Sequence, residues 1–346
     1  MSLQTTRRVI LGSLGYLPSH MMVAIDPAHL PVYQTRMLSI FLQTLPFFMI
    51  IGLGYGAGRT GFFPEVATAW LTKFVFYFAL SAMLFRFSAN LTLADVLDWN
   101  FILAYLWATA FVYGIATAVA LLRRVNVQEV AIEAQCAVIG NVGFLGVPML
   151  AMLMGEAAIG WVMIVLAVDL IVFGSLVVIL ITGSRDGRLS FGILRTVGMG
   201  LLKNPMIVSI VLGLTWSGLR LPIPDPINDF VRILGGAATP GALFAIGASL
   251  ASKSAERPHI AGWLSFCKLV LHPIFVAFAV LYLFEVDPYA GAVMIAASSL
   301  PVAGNVFMLA QHYGVAPKRV SSSILISTGA AIITVSLVIG WVNQLY

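Results

Sequence analysis

Asp169 sits in the middle of an apolar run, Leu166-Ala167-Val168-Asp169-Leu170-Ile171. An ionisable group at membrane depth is costly, and its default role is in a pathway for protons, cations or charged substrates. That makes Asp169 a candidate for binding a coupling ion, a proton or Na+; a protonated or lysine-paired structural Asp is the other open reading. Two asparagines lie in comparable surroundings. Asn141 belongs to Ile139-Gly140-Asn141-Val142-Gly143-Phe144-Leu145-Gly146-Val147-Pro148, and Asn305 closes Ser298-Ser299-Leu300-Pro301-Val302-Ala303-Gly304-Asn305. Proline removes a backbone donor and frees a carbonyl one turn earlier, while glycine lets a second backbone approach closely. In hydrocarbon such freed groups persist only where they are buried in protein or line a cavity. An amide offers donors and an acceptor, and beside the positive end of a broken helix it suits a carboxylate that must shed its water. The residues expected to meet that carboxylate are Asn141, Gly143, Pro148, Pro301 and Asn305. A plain interhelical hydrogen bond, worth about 0.6 kcal/mol in typical membrane cases, is the alternative use of the amides.

Other charged residues carry two readings each. Lys268 and His272 are four apart near the cytoplasmic end of their apolar segment, where Lys268 either attracts an anionic substrate or snorkels to the interface. Glu129 and Glu133 share one helical face and read first as solvated mouth charges, with Glu133 as a coupling-ion ligand the sharper alternative. Lys73 and Arg86 lie near the ends of one segment, which favours snorkelling for both. Enzyme signals are weak. Ser265-Phe266-Cys267-Lys268 matches a Ser-x-x-Lys acyl-enzyme motif but lies within an apolar segment and lacks a Lys-Thr-Gly partner. The His residues lack metal-ligand spacing, and no Gly-Lys-Ser/Thr phosphate loop occurs, so neither a metal, a cofactor nor an ATP-driven pump is expected. Cys136 and Cys267 fall inside apolar runs and read as inert packing residues.

The elements that must position these residues follow from composition. Of the 346 residues 60% are hydrophobic and 10% charged, against a globular norm of about 25% charged. That excludes an ordinary soluble enzyme. At about 20 residues per crossing the chain has room for some ten spans and short loops. Apolar segments fall at 37–58, 66–87, 100–122, 130–154, 157–182, 203–220, 227–251, 260–284, 288–311 and 319–343. The predicted fold class is therefore an all-α polytopic membrane protein with ten transmembrane helices. Arg59, Arg123, Arg124, Arg185, Arg188, Arg195, Lys203, Lys253, Arg257, Lys318 and Arg319 cluster at alternate ends of these segments, and Asp95, Asp98, Glu156, Asp225, Asp229, Glu285 and Asp287 at the other. By the positive-inside rule the basic ends are cytoplasmic, and both ends of the ten-helix body lie outside. The net charge of +5 is spread over these short loops, which fits anchoring to a bilayer and not nucleic acid. Residues 1–36 read as an N-terminal extension, weakly signal-peptide-like over Val9–Ile25, or as an over-extended translation start before Met37.

The only long polar connection, at 183–202, divides the spans into two sets of five, 37–182 and 203–346. Five is odd, so homologous halves would be inverted in the membrane, as in many secondary transporters. Gly140-Asn141-Val142 in the fourth segment is echoed by Gly304-Asn305-Val306 in the ninth.

At these residues the sequence resembles the auxin efflux carrier family of transporters, whose bacterial members include malonate and malate carriers. The family's fourth-span pattern matches Asn141 through Pro148, and its ninth-span pattern matches Pro301, Asn305 and Tyr313-Gly314. Lys73 with Phe74-Val75-Phe76-Tyr77, Lys203-Asn204-Pro205, and Lys268 with Pro273 match further pieces in order, so the likeness covers residues 37 to about 343. It implies inverted five-helix repeats on the fold shared with sodium/proton antiporters and bile acid carriers, with helices four and nine broken and crossing at the substrate site. One departure is Ser81, where the family usually has proline, which leaves the second span free to run unkinked.

The expected function is a secondary transporter of small organic anions, mono- or dicarboxylates such as malonate or malate, working by alternating access in a bacterial inner membrane. Lys268 would add positive field. A cation/proton antiporter on the same fold is the rival, and a non-transporting membrane sensor is a third reading. Gly52-x-x-x-Gly56 supplies a face on which a homodimer could pack.

Overall fold

The structure is a computed structural model that describes residues 30–91, 98–186, 191–252 and 258–343. Expectations for most of the 1–36 extension and for Asp95, Arg188, Lys253 and Arg257 lie outside the described residues. The chain divides at Ser39, and the body that holds the polar residues of interest is Ile40–Tyr346.

The described residues are helical almost throughout: α1 (Leu30–Arg59), α2 (Glu65–Ala89), α3 (Trp99–Leu122), α4 (Val127–Val138), α5 (Val142–Met154), α6 (Ala158–Arg185), α7 (Phe191–Lys203), α8 (Pro205–Gly218), α9 (Asp225–Ala251), α10 (Pro258–Leu283), α11 (Pro288–Ser298), α12 (Gly304–Tyr313) and α13 (Pro317–Val342). Polar residues at segment ends start the helices by accepting from N–H groups that have no intrahelical partner. Asp98 takes Asn100 N at 2.8 Å, Asn126 takes Glu129 N at 2.9 Å, Asn204 takes Met206 N at 3.0 Å and Asp287 takes Ala290 N at 2.9 Å. Gly314, at φ +65°, ends α12 in the left-handed conformation that costs glycine little.

Seven helices, α1 (from Ile40), α2, α3, α6, α9, α10 and α13, are long and apolar enough to cross a membrane, and an eighth crossing is counted if α7 and α8, bent by 73°, act as one. The protein is thus a multi-pass membrane protein. Of the ten expected segments, those at 130–154 and 288–311, the two expected to be broken, are interrupted into α4–α5 and α11–α12, and the one at 203–220 forms only the 14-residue α8.

Two further expectations need correction. The 183–202 connection is not a plain loop, since α7 occupies most of it. Leu194, Val197 and Leu201 recur at helical spacing there, a pattern hidden by the polar residues around it. The second span does not run as a uniform α-helix either. α2 widens into a π turn at Val75–Ala79, and Ser81 Oγ donates to Phe76 O at 3.1 Å. The Ser81 hydroxyl thus bonds back five residues across that wider turn, while its retained N–H keeps α2 continuous.

Glycine sets the closest helix pairing. A Cβ on Gly54 would meet the backbone of Phe244, one on Gly58 would meet Ala248 O at 2.8 Å, and one on Gly247 would fall on the backbone of Ile51 and Tyr55, so α1 and α9 touch main chain to main chain. Gly52 and Gly56 have no atom within 4 Å of an added Cβ. Gly247→Val is therefore expected to destabilise the protein by about 1–3 kcal/mol through overpacking. Gly52→Val should change unfolding of the purified monomer in detergent by under about 0.5 kcal/mol; equal melting of the two variants would contradict this packing.

Candidate functional site

Two helix breaks meet. The chain leaves helical conformation at Ile139 (ψ 111°) after α4 and at Ala303 (ψ 144°) before α12. The freed backbone groups pair across the gap: Asn141 N donates to Pro301 O at 2.8 Å and Ala303 N to Ile139 O at 3.0 Å, with Gly140 and Val302 forming an antiparallel bridge. Val302 N donates to Ser327 Oγ of α13 at 3.1 Å. Buried peptide groups far from water must find partners, and here each break supplies those of the other.

The consequence is electrostatic. α5 and α12 both begin at the breaks, so two helix N-termini, each with unpaired N–H groups and a partial positive charge, converge on one place. A cavity of about 20 Å³ lies there, lined by Asn141, Gly143 and Phe144 of one broken segment, Gly304 and Asn305 of the other, Asp169 and Leu166 of α6, and Met206 of α8. Asn141 is 6% exposed and Asp169 3%. Asn305 Oδ1 and Asp169 Oδ2 are buried without a hydrogen-bond partner among the described residues, and both belong to residues of this cavity. The Asn204 cap at the start of α8 brings Met206 over Gly143, where an added Cβ would lie 2.6 Å from the Met206 Cε.

Asp169 opens a π turn, Asp169–Phe173, which shifts the helix register at that residue. Its Oδ1 accepts from Tyr105 OH of α3 at 2.8 Å. Lys268 also lies in a π turn, Cys267–Leu271 of α10. It is 0% exposed, so it does not snorkel. Its Nζ donates to Ser298 O and, at 3.2 Å, to His272 Nδ1. The ring proton then sits on Nε2, which donates to Thr109 Oγ1 at 3.0 Å. Ser298 is the last residue of α11, so Lys268 caps the negative end of that half-helix and lies outside the residues lining the cavity.

The expected site residues therefore separate. Asn141, Gly143, Asn305 and Asp169 share the cavity. Pro301 contributes its carbonyl to the bridge, Pro148 is the seventh residue of α5, and neither lines the cavity. Glu133 is elsewhere and is not a solvated mouth charge: at 1% exposure it is held by Arg123 and Arg319, and Arg319 also donates to Glu129 at 2.9 Å. Burial is tolerable there because the carboxylate is doubly paired. Tyr105, Thr109, Ser327 and Arg319 were missed as members of buried polar networks. A hydroxyl or guanidinium near a segment end has no periodicity that marks it, and Arg319, next to Lys318, reads from sequence as one more end charge.

The sequence matches, over residues 39–339, the family described as "Membrane transport protein". It is 30% identical over 299 residues to a "Putative malonate transporter" of Rhizobium meliloti (strain 1021), a match that covers 84% of this chain and 92% of that protein.

Proposed function

Because the chain belongs to the auxin efflux carrier family of membrane transport proteins, we propose that it is a secondary transporter of small organic anions, mono- or dicarboxylates such as malonate or malate, working by alternating access about the meeting point of α4–α5 and α11–α12. Each broken pair counts as one crossing and α8 as another, which gives ten spans in two inverted five-helix repeats. Both ends of this body lie outside, with Arg59, Arg123, Arg124 and Arg185 cytoplasmic in a bacterial inner membrane. Gly52 and Gly56 offer the open face for a homodimer contact.

The observation that carries the reading is the convergence of two helix N-termini and the amides of Asn141 and Asn305 on one small cavity. Positive dipole ends and amide donors favour a carboxylate. At about 20 Å³ the cavity holds about one water, so a dicarboxylate enters only as the helices around it move apart. Asp169 then supplies coupling: two ionised carboxylates in one buried cavity repel strongly, so the substrate travels with a proton or Na+ that neutralises Asp169. The unpaired oxygens of Asp169 and Asn305 also favour a second reading, a cation/proton antiporter in which a cation alone occupies the cavity.

A counterflow screen separates the two. Proteoliposomes loaded with single unlabelled carboxylates should accumulate labelled malonate or malate. No exchange with any small carboxylate, together with Na+-driven proton flux in their absence, would establish the antiporter instead.

A further inference from the structure

A larger cavity, of about 510 Å³, lies between α3, the start of α4 and the second half of α6, and shares no lining residue with the one at the helix breaks. Ala110, Thr117 and Leu121 line it from α3, Val127 from α4, and Phe173 and Leu180 from α6. Its walls are carbon apart from the hydroxyls of Tyr113 and Thr117, and that of Thr117 is buried with no hydrogen-bond partner. From Ala110 to Leu121 a helix rises about 16 Å, roughly half of the 30 Å hydrocarbon core. The cavity is thus a slot one leaflet deep.

Its shallow end carries positive charge. Arg123 and Arg124 follow α3 immediately, and Arg185 lies five residues beyond Leu180 on α6. Two of the acidic side chains of this end are neutralised, Glu133 by Arg123 and Arg319 and Glu129 by Arg319, and Asp186 follows Arg185 in the sequence. Arg124 is exposed and makes no hydrogen bond or ion pair from its side chain among the described residues; its backbone, at φ +57°, turns the chain between α3 and α4. Arg185 donates to Gln128 Oε1 at 3.2 Å and to Tyr313 O. A guanidinium has five N–H donors, so donors remain on Arg185. Opening onto lipid, a carbon-lined slot with the unpaired guanidinium of Arg124 and the spare donors of Arg185 near its mouth matches one kind of molecule in shape and charge.

We infer that this slot binds an anionic phospholipid, with one acyl chain along α3 between Ala110 and Leu121 and the headgroup phosphate on Arg124 and Arg185. The lipid wedges α3 against α4 and α6, the elements that carry one helix break and Asp169. Binding does not depend on what the smaller cavity carries, so the inference stands or falls separately from the transport reading.

Native mass spectrometry of the purified full chain, given equal phosphatidylglycerol and phosphatidylcholine of the same acyl chains, tests it. The wild type should retain one phosphatidylglycerol, preferred about tenfold or more over phosphatidylcholine. Arg124→Glu, at an exposed position, should abolish the preference without changing the melting temperature. Gly114→Trp should abolish retention of both lipids, because Gly114 lines the slot and has no atom within 4 Å of an added Cβ. Equal retention of the two lipids by the wild type would overturn the inference, as would unchanged retention in both variants. A lipid-free wild-type dimer that Gly114→Trp converts to monomer would assign the slot to a second copy of the chain instead.

Discussion

Asn305→Ala is expected to lower malonate uptake by about 10- to 100-fold while the amount and melting of the inserted protein stay at wild-type level. The size follows from a hydrogen bond to a charged group, about 1.5–3 kcal/mol, at 1.4 kcal/mol per factor of ten. The fold is spared because Asn305 Oδ1 has no protein partner to lose. Asn141→Ala should behave alike. The interactions that hold the break at Asn141 are those of its backbone, with N donating to Pro301 O and O accepting from Leu145 N and Gly146 N, and alanine keeps all three. Uptake near normal in both variants, measured in vesicles with matched protein content, would remove the helix breaks as the substrate site.

Asp169→Asn is expected to uncouple transport. The amide keeps an oxygen for Tyr105 OH, which now bonds Oδ1 at 2.8 Å, and it has the charge of a protonated or ion-neutralised Asp169. Counterflow of malonate, which needs no driving ion, should therefore persist within about threefold of wild type. Accumulation against a gradient should fall by at least tenfold, since two carboxylates no longer compete for one neutralising cation. If counterflow and accumulation are lost together, Asp169 is a substrate contact; if both survive, the coupling group lies elsewhere. Lys268 is bonded to Ser298 O and His272 and does not line the cavity, so any effect it has on the substrate is that of its charge and not of a direct contact.

Much of this was legible in the sequence because membrane physics leaves strong marks. Asn141, Pro148, Pro301 and Asn305 stand out where helix breakers and amides fall inside apolar runs, and both runs do break. The pairing of the breaks through Asn141 N and Pro301 O was not legible, since a backbone bond between residues 160 positions apart has no side-chain signature. Charge was the weaker guide. Asp169 appeared as the clear exception to a rule that charges mark helix ends, but Glu133, Lys268 and Arg319 are buried too. Each lies close enough to a segment end in sequence to pass for an interfacial residue, and each is buried because partners on other helices satisfy it. The helix at Phe191–Lys203 was hidden for a related reason: its basic residues read as loop charges, whereas its apolar residues recur with helical period.

The central claim is that a carboxylate binds where the two broken helices meet, between Asn141 and Asn305. Calorimetric titration of malonate into the purified protein tests it most directly. The wild type and Asp169→Asn should both bind, and the Asn141→Ala/Asn305→Ala double variant, folded and equally stable, should show no binding heat. A double variant that binds malonate with unchanged affinity would contradict the account.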